Sequence, residues 1–296
     1  MANKDLIAPI MQNAMARHGI RIICYVDRLH FYTDARTHKA KLDAITVSNK
    51  KNTVAFKTLS HHEHLDKKIE LFQPGYETIA TLKDIVTGDY AINYIEFAID
   101  FLVPNKGILR RLQYFFDRHL VFNRKPESLV ESEFHFKLAG KEGAVCGCKN
   151  VCICQTRYFT PTDDKERLVM YGDKPSKTDN ATSCVHIEKR FAGINEIKKL
   201  GLYTFNNIID LDLEQFWSHH IDLRTPNFTA LGRMNTFKKN TKRVADNKRG
   251  KKIWTTITCL QEYLRNNSHS ASAFKSISTA ASLEKALGAV FDTQGL

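Results

Sequence analysis

Two stretches of the chain carry side chains that could do chemistry together. Tyr90–Val103 (YAINYIEFAIDFLV) alternates as a strand should, with Tyr94, Glu96, Ala98 and Asp100 on one face and Ile95, Phe97, Ile99 and Phe101 on the other. Two carboxylates on one face of a central strand are costly unless a cation pairs with them, and a metal ion or a lysine would serve. Residues 167–191 read as a second unit: strand Arg167–Tyr171, a turn-rich loop Gly172–Thr182, and strand Ser183–Phe191. If Val185 and Ile187 face a core, His186 and Glu188 share the other face. A carboxylate, an imidazole and the Tyr171-Gly172-Asp173-Lys174 corner then line one side of a sheet.

Two further clusters invite a metal. Cys146, Cys148, Cys152 and Cys154 place four thiols in nine residues, which could supply a tetrahedral zinc site. The competing reading is a β-hairpin turning at Lys149-Asn150, its cysteines serving as small strand residues. His61, His62 and His64 beside Glu63 and Asp66 could bind metal or form a solvated loop.

Elements that would position these groups are legible around them. Asp5–His18 carries a helical apolar stripe, and Gly19 ends it. Ile20–Thr33 (IRIICYVDRLHFYT) is rich in β-branched and aromatic residues, a strong strand pattern. Thr53–Thr58, Glu133–Leu138 and Thr156–Thr160 are shorter strand candidates, and Glu77–Ile85 fits either a helix or a strand. Ile108–Phe122 is an amphipathic helix with Arg110, Arg111 and Arg118 outward. Helical patterns recur at 193–202, 206–216, 253–265 and 283–291. The fold class expected is α+β, a central antiparallel sheet with flanking helices and a basic, mainly helical C-terminal extension.

Bulk properties narrow the partner. The chain has 296 residues and a net charge of +12, and residues 233–296 supply +8 of it. Arg233–Lys252 alone holds nine basic residues and one acidic one. Such a run favours an anionic partner, nucleic acid first, over a membrane surface or a merely solvated tail. The division expected is 1–226 as one domain and 227–296 as the basic extension, with the boundary at Thr225-Pro226-Asn227. Seven cysteines in a chain of this length do not suggest a secreted disulfide framework. With no signal-like N-terminus and no apolar run near 20 residues, the reading is a cytoplasmic protein without a membrane partner.

Three separated pieces together resemble the tyrosine-dependent replication initiators of rolling-circle plasmids and some filamentous phages, the replication initiation factor type. Tyr94-Ile-Glu96-Phe-Ala98-Ile-Asp100 is similar to that family's Arg-x-Asp-x-Ala-x-Asp strand. Thr156–Lys174 is similar to its Tyr-x-Gly, Arg-x-Ile-Tyr-Asp-Lys hairpin, with Thr160 for Gly and an inserted Gly172. Val185-His-Ile-Glu188-Lys-Arg-Phe191 is similar to its Arg-x-Glu-x-x-Leu strand, with His186 for Arg. The resemblance spans roughly residues 20–205.

That resemblance implies a DNA-nicking enzyme. A tyrosine would attack phosphorus and leave a covalent phosphotyrosine link, helped by Mg²⁺ or Mn²⁺ on carboxylates. Asp100 and Glu188 become the expected metal ligands, with Glu96 behind them. Lys174 would hold the phosphate or tune the nucleophile. Tyr203 becomes the expected nucleophile, because the family's tyrosine follows the Glu-bearing strand on a helical segment. Origin DNA, single-stranded or supercoiled, would be the partner. Arg110, Arg111, Lys238, Lys239, Lys242, Arg243, Lys248 and Arg249 would engage its phosphates, and a homodimer is left open. Two other readings stand beside this one: a nucleic-acid-binding protein that keeps the fold without cutting, and a Zn²⁺-stabilised regulatory protein built on the cysteine cluster. Asp100 and Glu188 could also be ordinary sheet-face ion pairs with Lys174 and Arg190.

Overall fold

A computed structural model describes residues 10–34, 54–58, 65, 67–86, 88–121, 129–134, 155–160, 165–172, 174–226 and 274–292. The strands are β1 (Arg21–Thr33), β2 (Val54–Thr58), β3 (Lys67–Phe72), β4 (Tyr90–Leu102), β5 (Leu120–Val121), β6 (Leu129–Phe134), β7 (Gln155–Thr160), β8 (Glu166–Tyr171), β9 (Cys184–Ala192), β10 (Asp222–Pro226) and β11 (Phe274–Ser276). The helices are α1 (Gln12–Ala16), α2 (Tyr76–Ile85), α3 (Lys106–His119), α4 (Ile194–Lys199), α5 (Phe205–Ile209), α6 (Leu213–His220) and α7 (Ala280–Phe291). Eight strands form one antiparallel sheet in the order β2-β3-β1-β4-β9-β8-β7-β6. β11, β10 and β5 form a small second sheet. The α+β class expected from the sequence is the class observed.

The strands with the strongest alternation lie side by side at the centre. β4 pairs with β1 on one edge and β9 on the other, and β9 continues to β8. The odd-numbered face of β4 is closed by helices. Phe101 packs against Phe116 of α3 at 4.7 Å between ring centres, and Phe97 against Phe216 of α6 at 4.6 Å. These rings and Trp217 are buried, each contributing about 1.5–3 kcal/mol through lost apolar surface. Residues 77–85, ambiguous by pattern, are helical; α2 buries Thr78, Ile79 and Leu82, one side of a helix. The strand expected at 133–138 begins earlier, as β6.

The C-terminal helix α7 starts at a Thr279–Ser282 capping box and sends Leu283, Leu287 and Val290 into the same core. Arg111 of α3 donates to the carbonyl of Phe291, and the His18 ring stacks on the Phe291 ring at 4.4 Å. β11 pairs with β10 just before α7 begins. Among the described residues, no helix is long and apolar enough to cross a membrane.

Strict alternation fails at two points of the β1–β4 ladder. The register shifts between Val26 and Arg28 and again between His30 and Phe31. At the first shift Asp27 is the extra residue of a β-bulge, so Tyr25 and Arg28 both lie opposite even-numbered β4 residues, Ala98 and Glu96.

Candidate metal centre

Cross-strand register assembles the site on the even-numbered face of β4. Asp100 sits opposite Ile23 on β1 and His186 on β9, Ala98 lies between Tyr25 and Glu188, and Tyr171 of β8 sits opposite His186. Directly opposed residues share a face, so Tyr25, Asp100, Tyr171, His186 and Glu188 converge. The bulge adds Asp27. Asp27, Asp100, His186 and Glu188 are all essentially without solvent exposure.

The loop after β8 closes the site from above. Asp179 accepts from the backbone N–H groups of Ala181 and Thr182, both at 2.9 Å, and Asn180 adopts a left-handed φ of 54°. These hydrogen bonds, the Thr182 hydroxyl foremost, lower the exposed Asp179 carboxyl to a pKa of about 2. Ser176 and Thr182 pair through their backbones at 2.8 Å, and the turn delivers Ser176 and Lys177 onto the sheet. Ser176 Oγ donates to Asp100 Oδ2 at 2.5 Å. Lys177 Nζ donates to Asp27 Oδ2 and lies 3.4 Å from Glu188 Oε2.

His186 lies between two carboxylates, Nδ1 at 2.5 Å from Asp100 Oδ1 and Nε2 at 2.9 Å from Glu188 Oε2. Burial alone would depress the imidazole, but hydrogen bonds to Asp100 and Glu188 overcome it and raise its pKa from 6.5 to about 9. Both ring nitrogens therefore donate, as an imidazolium. Burial opposes the charged form of Glu188, yet His186, Arg190 and Lys177 hold its carboxyl well below the usual range. Tyr171 stacks on the imidazole at 4.5 Å. Tyr25 Oη donates to Asp100 Oδ2 at 3.2 Å. Burial, then the Asp100 charge, holds the Tyr25 phenol protonated far above its ordinary range.

Four residues along β4, Glu96 has a different setting. Tyr94 Oη donates to it, Arg190 Nε lies 3.2 Å away, and Arg28 Nε lies 3.4 Å away. The two arginine contacts have ion-pair distance without hydrogen-bond alignment. Burial and the nearby Glu188 charge raise Glu96 to a pKa of about 7 despite both arginines. Arg190 also donates to Glu188 Oε1, joining the two clusters.

One ligand atom each from Asp27, His186 and Glu188 falls within 4.8 Å of the others. Two carboxylates and an imidazole suit Mn²⁺, Zn²⁺ or Mg²⁺, so the residues fit a divalent ion. A metal on Nε2 would displace the proton that this nitrogen donates to Glu188, and Asp100, hydrogen-bonded to Nδ1, would orient the ring, the usual arrangement for a metal-bound histidine.

Of the expected ligands, Glu188 belongs to this group, Asp100 stands one hydrogen bond behind it, and Glu96 sits among arginines. Lys174 is exposed, its amine 5.5 Å from the Tyr171 ring centre, and Lys177 takes the position between the acidic groups. Glu188 does pair with Arg190, as the plain ion-pair reading anticipated, while Asp100 pairs with His186 and not with Lys174. Tyr203 is not brought to the centre. It is 57% exposed beside α5, whose Phe205 stacks on Tyr90 at 4.4 Å. Tyr90 starts β4, ten residues before Asp100, roughly 30 Å away along an extended strand. Arg110 is exposed and Arg111 is tied to the end of α7; both lie on α3, which packs against the opposite face of the sheet.

Departures from the family pattern have local reasons. His186 bridges the two carboxylates. Tyr94 caps Glu96. Gly172 lies against α3, where a Cβ would fall 2.4 Å from Gln113 Nε2. Asp27, Tyr25 and Lys177 were not singled out by sequence; a lone aspartate inside the apolar run 20–33 was the available signal. Asp173, Cys146, Cys148, Cys152, Cys154, the histidines at 61, 62 and 64, Lys238, Lys239, Lys242, Arg243, Lys248 and Arg249 lie outside the described residues.

No family model matches the chain, and no curated protein matches it. Among solved structures, the chain is similar to a rolling circle replication initiator protein from Geobacillus stearothermophilus, at 11% identity and a TM-score of 0.39. That match covers 83% of this chain and 97% of the other.

Proposed function

We propose that the protein is a replication-initiator-like enzyme that binds DNA and breaks one strand by transesterification at the Asp27–His186–Glu188 centre. The observation that supports it most is the buried three-atom donor set lying beside a phenol already hydrogen-bonded to a carboxylate. Two of the three motifs that resemble the initiator family contribute Asp100 and Glu188, which lie on this same face.

Tyr25 is the attacking residue in this reading, in place of Tyr203. A nucleophile within hydrogen-bond reach of a base, itself oriented by a third group, is the arrangement that activates a hydroxyl. Tyr25 donates to Asp100, and Asp100 is held by His186 and Ser176. The phenol oxygen bonds to phosphorus, its proton passes to Asp100, and the sugar oxygen leaves and takes a proton from water. A divalent ion held by Asp27, His186 and Glu188 would supply Lewis-acid polarisation of the phosphoryl oxygen, and its positive charge would offset the burial and the Asp100 charge that keep the Tyr25 phenol protonated in the metal-free site.

Incubation with single-stranded DNA of its own replicon and Mn²⁺, followed by a denaturing gel, tests the reading. A covalent protein–DNA adduct is expected from the wild type and from Tyr203→Phe, and at least a hundredfold less from Tyr25→Phe. Adduct lost with Tyr203→Phe and kept with Tyr25→Phe would return the role to Tyr203. A second reading has its own support: Lys177, His186 and Arg190 already partner Asp27, Asp100 and Glu188 without a metal. In that reading the network is structural and the protein binds nucleic acid without cutting, and no tyrosine variant changes the gel.

A further inference from the structure

We infer that Lys177 is a built-in cation occupying the metal-binding carboxylates, so that a divalent ion enters only by displacing it. The inference rests on the metal-centre reading and adds a residue and a mechanism of control to it.

The geometry is specific. Lys177 Nζ donates to Asp27 Oδ2 and reaches Glu188 Oε2 at 3.4 Å. These are two of the three residues that could hold an ion. An ammonium between two carboxylates uses the oxygen lone pairs that a metal would use, and two cations cannot share them at contact distance. The ammonium also has somewhere to go. Its side chain is 24% exposed, while Asp27 and Glu188 have 0% and 1% exposure, so the lysine is the member on the solvent side. It sits in a turn anchored by other residues, Asp179, Ser176 and Thr182. Withdrawal of Lys177 therefore needs a rotamer change and leaves the loop and strands in place.

The arrangement serves both states. Without metal, Lys177 is the cation on buried Asp27, whose other oxygen, among the described residues, accepts only from the neutral Gln73 amide at 3.0 Å, and it adds to the His186 and Arg190 contacts of Glu188, which stabilises the sheet. With metal bound, the freed ammonium stands at the mouth of the site, where an anionic phosphate would arrive.

Mn²⁺ binding to the full chain, followed by electron paramagnetic resonance at one fixed pH, tests this without any reaction. Lys177→Met should bind Mn²⁺ at least about tenfold more tightly than wild type. Lys177→Arg, which keeps a cation on the two carboxylates, should stay within about threefold of wild type. Equal or weaker binding by Lys177→Met overturns the inference while leaving the metal centre standing. No binding by wild type or by either variant overturns both. A measurement on the unaltered protein guards against misfolding of Lys177→Met. Reductive methylation read by mass spectrometry should label Lys177 several-fold faster when Mg²⁺ is added. Unchanged or slower labelling contradicts displacement.

Discussion

The two faces of the central sheet put the same residue type to opposite uses. On the even-numbered face of β4, His186 is held charged between Asp100 and Glu188. On the odd-numbered face, His220 stacks on Phe216 at 4.1 Å and meets Phe191 edge-on at 6.3 Å. Burial, then the Lys189 charge, lowers His220 to a pKa of about 4, so it stays neutral. One face is built from ionic groups that can exchange partners; the other is built mainly from rings, with the Lys189–Glu166 pair beside them. Both faces should therefore carry stability, while metal affinity and chemistry should reside in the ionic one alone.

The largest expected effect is on the ionic face. Glu188→Ala removes a proposed ligand and leaves His186, Lys177 and Arg190 short of a partner. Mn²⁺ affinity should fall by a hundredfold or more, and the fold should lose about 3–5 kcal/mol in urea unfolding. Retained affinity would remove Glu188 from the centre.

Phe97→Ala is the matching change on the other face. Opening a cavity under Phe216 and Phe191 should cost about 3–5 kcal/mol. In the folded fraction, Mn²⁺ affinity should stay within about threefold of wild type. A large loss of affinity without loss of stability would reverse the division between faces.

His220 gives a smaller effect with a defined sign. Its folded pKa of about 4 lies below the 6.5 of the free side chain. The unfolded chain therefore takes up a proton first as pH falls, and stability drops between pH 6.5 and 4 at up to about 1.4 kcal/mol per unit. The ring is only partly buried, so the total is expected near 2 kcal/mol. His220→Phe keeps the stack on Phe216 and should flatten that part of the pH–stability curve. An unchanged slope would assign the titration elsewhere.

How much of this was legible depended on whether alternation held. β4 and β9 alternate strictly through residues 94–100 and 185–191, so the face shared by Asp100, His186 and Glu188 could be read directly. Asp27 could not be placed, because a bulge at that residue changes which neighbours share a face. The loop 172–183 carries Lys174 and Lys177, and no periodicity says which one turns inward. Side-chain hydrogen bonds of Asp179 and Ser176 decide it. The expectation for Tyr203 rests on its order after Glu188, and chain order does not report distance. Helix α2 was ambiguous because ten residues fit either period.

In the proposed function, Asp27, His186 and Glu188 hold a divalent ion. An anomalous difference map from crystals of the protein grown with Mn²⁺ tests it most directly. The expected result is one strong peak about 2.0–2.3 Å from a carboxylate oxygen of Asp27, Nε2 of His186 and a carboxylate oxygen of Glu188, with Lys177 turned away. A map without a peak there, with Lys177 still bridging Asp27 and Glu188 at saturating Mn²⁺, would contradict it.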